Sequence, residues 1–96
     1  MNVKLIRMWS GEDVVADLVK ETEDSITIVN PIVAIPSGQG NIAFAPWSPI
    51  NKGDKTQIEV TKKYVVYISE TKDEIIEQYN EMYAPVAIPP KKKLIL

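Results

Sequence analysis

The chain of 96 residues contains no cysteine and no histidine. The first absence excludes a disulfide framework and chemistry at a thiolate. The second removes the usual general base near neutral pH, so no serine has a histidine to activate it. Together they remove the commonest zinc ligands. We therefore expect no enzyme activity, no catalytic residue, no bound metal and no cofactor.

Long apolar runs are also absent, because no stretch approaches the roughly 20 residues that cross a bilayer. Lys4 and Arg7 interrupt the N-terminal segment, which is therefore not a signal peptide. The net charge of −2 provides no general attraction to nucleic acid or to an anionic membrane, so any basic contact must be local. We expect a cytoplasmic protein that does not contact a membrane.

What the sequence does contain is a series of β-strand patterns within a single domain spanning 1–96. Three strands are predicted at 3–9, 14–20 and 26–35. In the second, Val14, Ala16 and Leu18 share one face, and the third bends at Asn30-Pro31. Two more strands are predicted at 57–61 and 64–69.

The region between them, 36–56, is rich in proline and glycine and predicts a long loop with a short strand at 42–45. Phe44 and Trp47 in this loop have two interpretations. They form a stacking platform for a base or a partner, or they cover one end of the barrel or fill a subunit contact.

A helix is predicted at about 72–84, where Ile75, Ile76, Tyr79, Met82 and Tyr83 recur on one stripe. Such a stripe needs an apolar surface to cover. The tail, 85–96, is expected to be extended because it holds three prolines. Its apolar triplet 94–96 either docks as an edge strand or is exposed for a partner.

Two stretches carry a family resemblance. Gly11 is followed five residues on by Ala16 and then, two further, by Leu18. The strand Val65–Ser69 (VVYIS) follows the basic pair at 62 and 63. Over about 3–69, this spacing resembles the two motifs of the Sm-like (Sm/LSm) family, and the whole chain is similar to Sm-like proteins of cyanophages. The resemblance implies a small, strongly bent, closed five-stranded antiparallel barrel, followed here by the helix and the tail.

The resemblance also implies a homo-oligomeric ring of about five to seven copies. Lys62 and Lys63 would line its pore, and Tyr64 would stack a base of single-stranded RNA. Little base preference is expected, because Thr22 and Ile26 stand where the family reads bases. The other interpretation of Lys62-Lys63 is a solvated hairpin turn.

A second function stays open. The same barrel could act as a protein adaptor or a phage assembly module that does not bind RNA. Its partner would then contact the 36–56 loop or the tail.

Overall fold

The computed structural model describes residues 1–53 and 55–83. The chain forms β1 (Val3–Met8), β2 (Asp13–Glu21), β3 (Ser25–Pro36), β4 (Ile42–Pro46), β5 (Gln57–Thr61), a 3₁₀ turn (Lys62–Tyr64), β6 (Val65–Ser69) and α1 (Asp73–Tyr83). These elements confirm the predicted strands and helix to within two residues at each end. The expected tail, 85–96, lies outside the described residues.

Every strand pair in the sheet is antiparallel, and the order is β4-β3-β2-β1-β6, with β5 also paired to β3. The long strand β3 serves two partners: its first half, 25–29, pairs with β5, and its second half, 32–36, pairs with β4. Asn30 separates the halves with a positive φ of 51°. The β2–β3 register shifts at the same place, which is the mark of a bulge. The predicted bend at Asn30-Pro31 is confirmed.

Within residues 1–53 and 55–83 the sheet has six strands and is not closed, so the expected closed barrel of five strands was wrong on both points. Among the described residues no ladder joins β5 to β6, although only the 3₁₀ turn separates them. The turn carries the chain from β3 across to β1, and the Tyr64 carbonyl then accepts a hydrogen bond from the Trp9 N–H at 2.8 Å. Because β5 and β6 do not pair among the described residues, Lys62-Lys63 is not the turn of a β-hairpin.

Side chains on one face of the sheet form the first apolar cluster. The alternation predicted for β2 is confirmed, because Val14, Ala16 and Leu18 all lie within it. The buried members of this inner cluster are Ile6, Met8, Val14, Ala16, Leu18, Ile26, Ile28 and Val60.

The opposite face carries a second cluster, which the helix covers. Val3, Val15 and Ile32 are its buried strand residues, and Tyr79 of α1 is 0% exposed against them. Ile75, Ile76 and Tyr83 pack around the same cluster, joined by Leu5 and Phe44. The predicted helical stripe is therefore confirmed at four positions, while Met82 is half-exposed. We call this set the helix-covered cluster.

The hydroxyl of Tyr79 is bonded to the backbone at the bulge. It accepts a hydrogen bond from the Asp17 N–H at 3.1 Å and donates toward the carbonyls of Val29, at 2.9 Å, and Asn30, at 3.0 Å. A bulge removes regular ladder partners, so these polar groups need another one. A single side chain therefore both fills the helix-covered cluster and supplies partners for the bend in β3.

Candidate functional site

A groove of about 460 Å³ lies beside β5 and the 3₁₀ turn. Its walls are mostly apolar or aromatic, and they come from β1, β5, the 3₁₀ turn and the residue after β4. The lining residues are Met8, Trp9, Ser10, Trp47, Ile58, Glu59, Val60, Thr61 and Tyr64. Because Met8 and Val60 are also buried members of the inner cluster, the groove is the open side of that cluster. We call it the open-side groove.

Two of its aromatic residues are strongly exposed. Trp9 is 68% exposed and Tyr64 is 62% exposed, and the backbone hydrogen bond between them holds β1 against the 3₁₀ turn. A tight turn follows Trp9, in which the Gly11 N–H donates to the Met8 carbonyl at 2.8 Å. Gly11 has a φ of +95°, which an L side chain rarely adopts, so glycine is required there. The turn glycine of the family-like motif therefore shapes one rim of the groove.

Trp47 forms the opposite rim. Its backbone N–H donates to the Pro31 carbonyl at 3.0 Å, and its indole Nε1–H donates to Glu12 Oε1 at 3.1 Å. Its ring packs against the inner cluster, whereas Phe44 packs against the helix-covered cluster. Both aromatic residues of the loop are thus partly buried, and only Trp47 reaches the groove.

The three residues predicted to bind RNA have different surroundings. The ammonium of Lys62 lies 2.8 Å from the Glu21 carboxylate, and its backbone N–H donates to the Asp24 carbonyl at 2.8 Å. Lys63 is exposed, and Tyr64 lines the open-side groove. Lys63 is therefore an exposed cation next in sequence to a groove residue, whereas Lys62 is paired with an acid.

The two positions that correspond to the family's base-reading residues are structural in this chain. Ile26 is only 1% exposed and belongs to the inner cluster. The Thr22 hydroxyl accepts hydrogen bonds from the backbone N–H groups of Asp24, at 3.3 Å, and Ser25, at 3.1 Å. Ile26 is therefore not available to read a base, and the exposed Thr22 hydroxyl already bonds to the local backbone.

Strands β5 and β6 each have one partner among the described residues, and both edges flank the 3₁₀ turn. On β6, Val66 and Tyr67 are exposed. The Arg7 guanidinium lies 5.7 Å from the centre of the Tyr67 ring and also bonds to Asp13, with Nη2 3.1 Å from Oδ2. That hydrogen bond, with the charge of Asp13, raises the pKa of Arg7 above its ordinary value. Arg7 thus stays charged and covers part of an otherwise apolar strand.

Sequence reasoning overlooked Trp9, which it placed only at the end of a strand. A signal was present, because the chain has two tryptophans and each follows directly after a strand. Their convergence depends on the bend in β3, which no local pattern of β1 or β4 encodes.

No protein-family model matches the chain, and no curated protein matches it either. In residues 1–53 and 55–83, no group of three carboxylates is arranged to hold a metal ion. No helix in the described part of the chain is long and apolar enough to cross a membrane.

Proposed function

We propose that this protein is an Sm-like, ring-forming module that binds single-stranded RNA at the 3₁₀ turn. The observation that carries the proposal is the position of Lys63 and Tyr64, which lie between two strand edges that pair with no other described strand. The assembly and the RNA contact follow from this one arrangement.

Assembly would use the edges of β5 and β6. An edge strand presents free N–H and C=O groups and readily pairs with another chain. When β5 of one copy pairs with β6 of the next, the contact joins two different surfaces, and such contacts close into a ring if the rotation permits. The turn between these strands then lies at every junction. Repetition around the ring brings one Lys63 and one Tyr64 from each copy toward a common site.

The 3₁₀ turn would supply the groups that bind RNA. Single-stranded nucleic acid is bound without strong sequence preference by cations that contact phosphates and by aromatic rings that stack on bases. Lys63 and the exposed ring of Tyr64 supply one of each. Lys62 contributes less in this chain because Glu21 neutralises it.

Native mass spectrometry and fluorescence anisotropy with an oligouridine test the proposal. We expect a single oligomeric mass, and binding whose log–log salt slope is near −0.7 per phosphate contacted. Lys63→Glu should weaken binding. The matched control is Lys52→Glu, which reverses an exposed lysine in the 36–56 loop. A truncation after Pro90 separates the turn from the three lysines at 91–93.

A monomer mass at micromolar concentration would remove the ring. Undiminished binding by Lys63→Glu, with the assembly intact, would remove the turn as the RNA site.

A second candidate is a protein adaptor, and the composition of the open-side groove favours it. The two carboxylates near the aromatic rings are Glu12, which bonds to Trp47, and Glu59, which lines the groove. They repel phosphate, whereas the apolar walls suit the side chains of a peptide. Purified protein that carries no nucleic acid and binds no oligouridine, but co-purifies with one protein in fixed ratio, would favour the adaptor.

A further inference from the structure

We propose that the open-side groove is the docking site for residues 91–96 of the same chain, with sequence KKKLIL. The occupant is thus a segment that lies outside the described residues. The inference goes beyond the proposed function, because it concerns the protein free of RNA and requires no ring.

The groove presents apolar and aromatic surface to solvent. Trp9 and Tyr64 expose most of their surface beside Met8 and Ile58, which makes a continuous apolar surface. Exposed apolar patches of this kind mark sites that another surface covers. A leucine, an isoleucine and a leucine at 94–96 supply apolar side chains of matching chemistry.

The described chain ends close to Pro46 and Ser48. Tyr83 closes α1, and it lines, together with Pro46 and Ser48, a small depression of about 210 Å³. Pro46 and Ser48 are the sequence neighbours of Trp47, which forms a rim of the groove. The helix therefore ends beside the segment that leads to the groove.

The length of the linker limits how far residues 91–96 can lie from the end of α1. Seven residues, 84–90, separate the end of α1 from the first of the three lysines. An extended chain covers at most about 3.3–3.6 Å per residue, so this linker spans up to roughly 23–25 Å. Its prolines favour the extended form and limit the conformational entropy lost on docking. The linker can thus span this distance from the end of α1, which lies beside the sequence neighbours of Trp47.

Acidic residues at the groove face a segment that contains three lysines. Glu12 bonds to Trp47 at the rim, and Glu59 lines the groove. Lys91, Lys92 and Lys93 precede the apolar triplet directly. With the triplet between the aromatic rings, the lysines lie near the acidic rim, where opposite charges favour that direction of docking.

Tryptophan fluorescence of the full-length chain tests the proposal, because both tryptophans of this protein line the groove. The test variant is Leu94→Asp/Leu96→Asp. The matched control is Ile50→Asp, which changes an apolar residue that is 93% exposed and outside the groove. We expect the tail variant to show red-shifted emission and a larger acrylamide quenching constant, while the control retains the wild-type values. Wild-type values in the tail variant would overturn the proposal.

Two further measurements identify the occupant. A synthetic KKKLIL peptide added to the tail variant should reverse the red shift in a saturable way, whereas KKKDID should not. Absence of any response to KKKLIL would contradict the proposal. In the wild-type chain, quenching should stay the same when dilution lowers the mass to that of the monomer. A rise in quenching on dilution would show that a neighbouring copy supplies the segment, and would overturn docking within one chain.

Discussion

The two faces of the sheet bury similar apolar side chains and end in different ways. On one face α1 covers Val3, Val15 and Ile32, and Tyr79 is fully buried at the centre. On the other face the inner cluster is open at the groove, where Trp9 remains mostly exposed. The first face has its covering element within the described residues, and the second has a groove.

This difference assigns separate tasks to the two faces. The helix-covered cluster holds the bend of β3 through the Tyr79 hydroxyl, so it stabilises the shape of the sheet. The groove side carries the features that a partner can use: exposed aromatic rings, an exposed lysine and two strand edges that pair with no other described strand. Substitutions of buried residues on either face should change stability, whereas those of the exposed groove residues Trp9 and Tyr64 should change it little.

The largest expected loss of stability comes from a substitution in the helix-covered cluster. Tyr79→Ala removes a buried ring and its hydroxyl, and loss of a large buried aromatic side chain costs about 3–5 kcal/mol of unfolding free energy. Urea denaturation measures it. The control Met82→Ala lies on the same helix at a half-exposed position and should cost less than about 0.5 kcal/mol. Equal midpoints for the two variants would contradict the central place of Tyr79.

A milder change sharpens the comparison by removing only the hydroxyl. Tyr79→Phe keeps the ring but leaves the Asp17 N–H and the Val29 carbonyl without this partner. Unsatisfied buried groups cost about 1–3 kcal/mol each, and relaxation of the bulge sets where in that range the total falls. Tyr67→Phe, at a half-exposed position on β6, serves as the control and should be close to neutral. A neutral Tyr79→Phe would show that the bulge does not need the hydroxyl.

On the groove side, Trp47→Phe should have a smaller effect. It removes the hydrogen bond from Nε1 to Glu12 while retaining an aromatic ring against the inner cluster. A typical net contribution for such a bond is about 1 kcal/mol. Glu12→Gln keeps an acceptor oxygen and should cost less. A cost for Trp47→Phe as large as that of Tyr79→Ala would place Trp47 among the residues that hold the fold.

The smallest effect concerns the pair Lys62–Glu21 beside the 3₁₀ turn. Both side chains are partly exposed, so a double-mutant cycle with Lys62→Gln and Glu21→Gln should give a coupling of about 0.2–1 kcal/mol. The coupling should decline with added salt, because exposed charges are screened. A coupling that salt leaves unchanged would mean that the pair is desolvated. Glu21→Gln should also strengthen RNA binding, if the proposed site is right, because it frees Lys62.

Much of the fold was predictable because its signals are local. Alternation at Val14, Ala16 and Leu18 predicted the inner face of β2, and Ile75, Ile76, Tyr79 and Tyr83 predicted the buried face of α1. Asn30-Pro31 predicted the bend. Each of these depends on neighbours within a few residues along the chain, which is why a pattern of period 2 or 3.6 reveals them.

The candidate site was only partly predictable, because its parts are distant in sequence. Lys63 and Tyr64 were identified, but nothing near Lys62 indicated Glu21, which is 41 residues away. The groove joins Trp9, Trp47 and Tyr64 from three separate segments. Their approach requires β3 to bend and the 3₁₀ turn to cross to β1.

By itself, the sequence determined the class of the fold: a β-rich domain with one amphipathic helix, since apolar periodicity decides which faces must leave water. Only the tertiary structure decided whether the sheet closes. Closure depends on the register of β2 on β3 and on the path of three residues after β5, and the energies of the open and closed arrangements differ through contacts between distant strands. Within residues 1–53 and 55–83, those contacts leave β5 and β6 unpaired with each other, Trp9 exposed and the groove open.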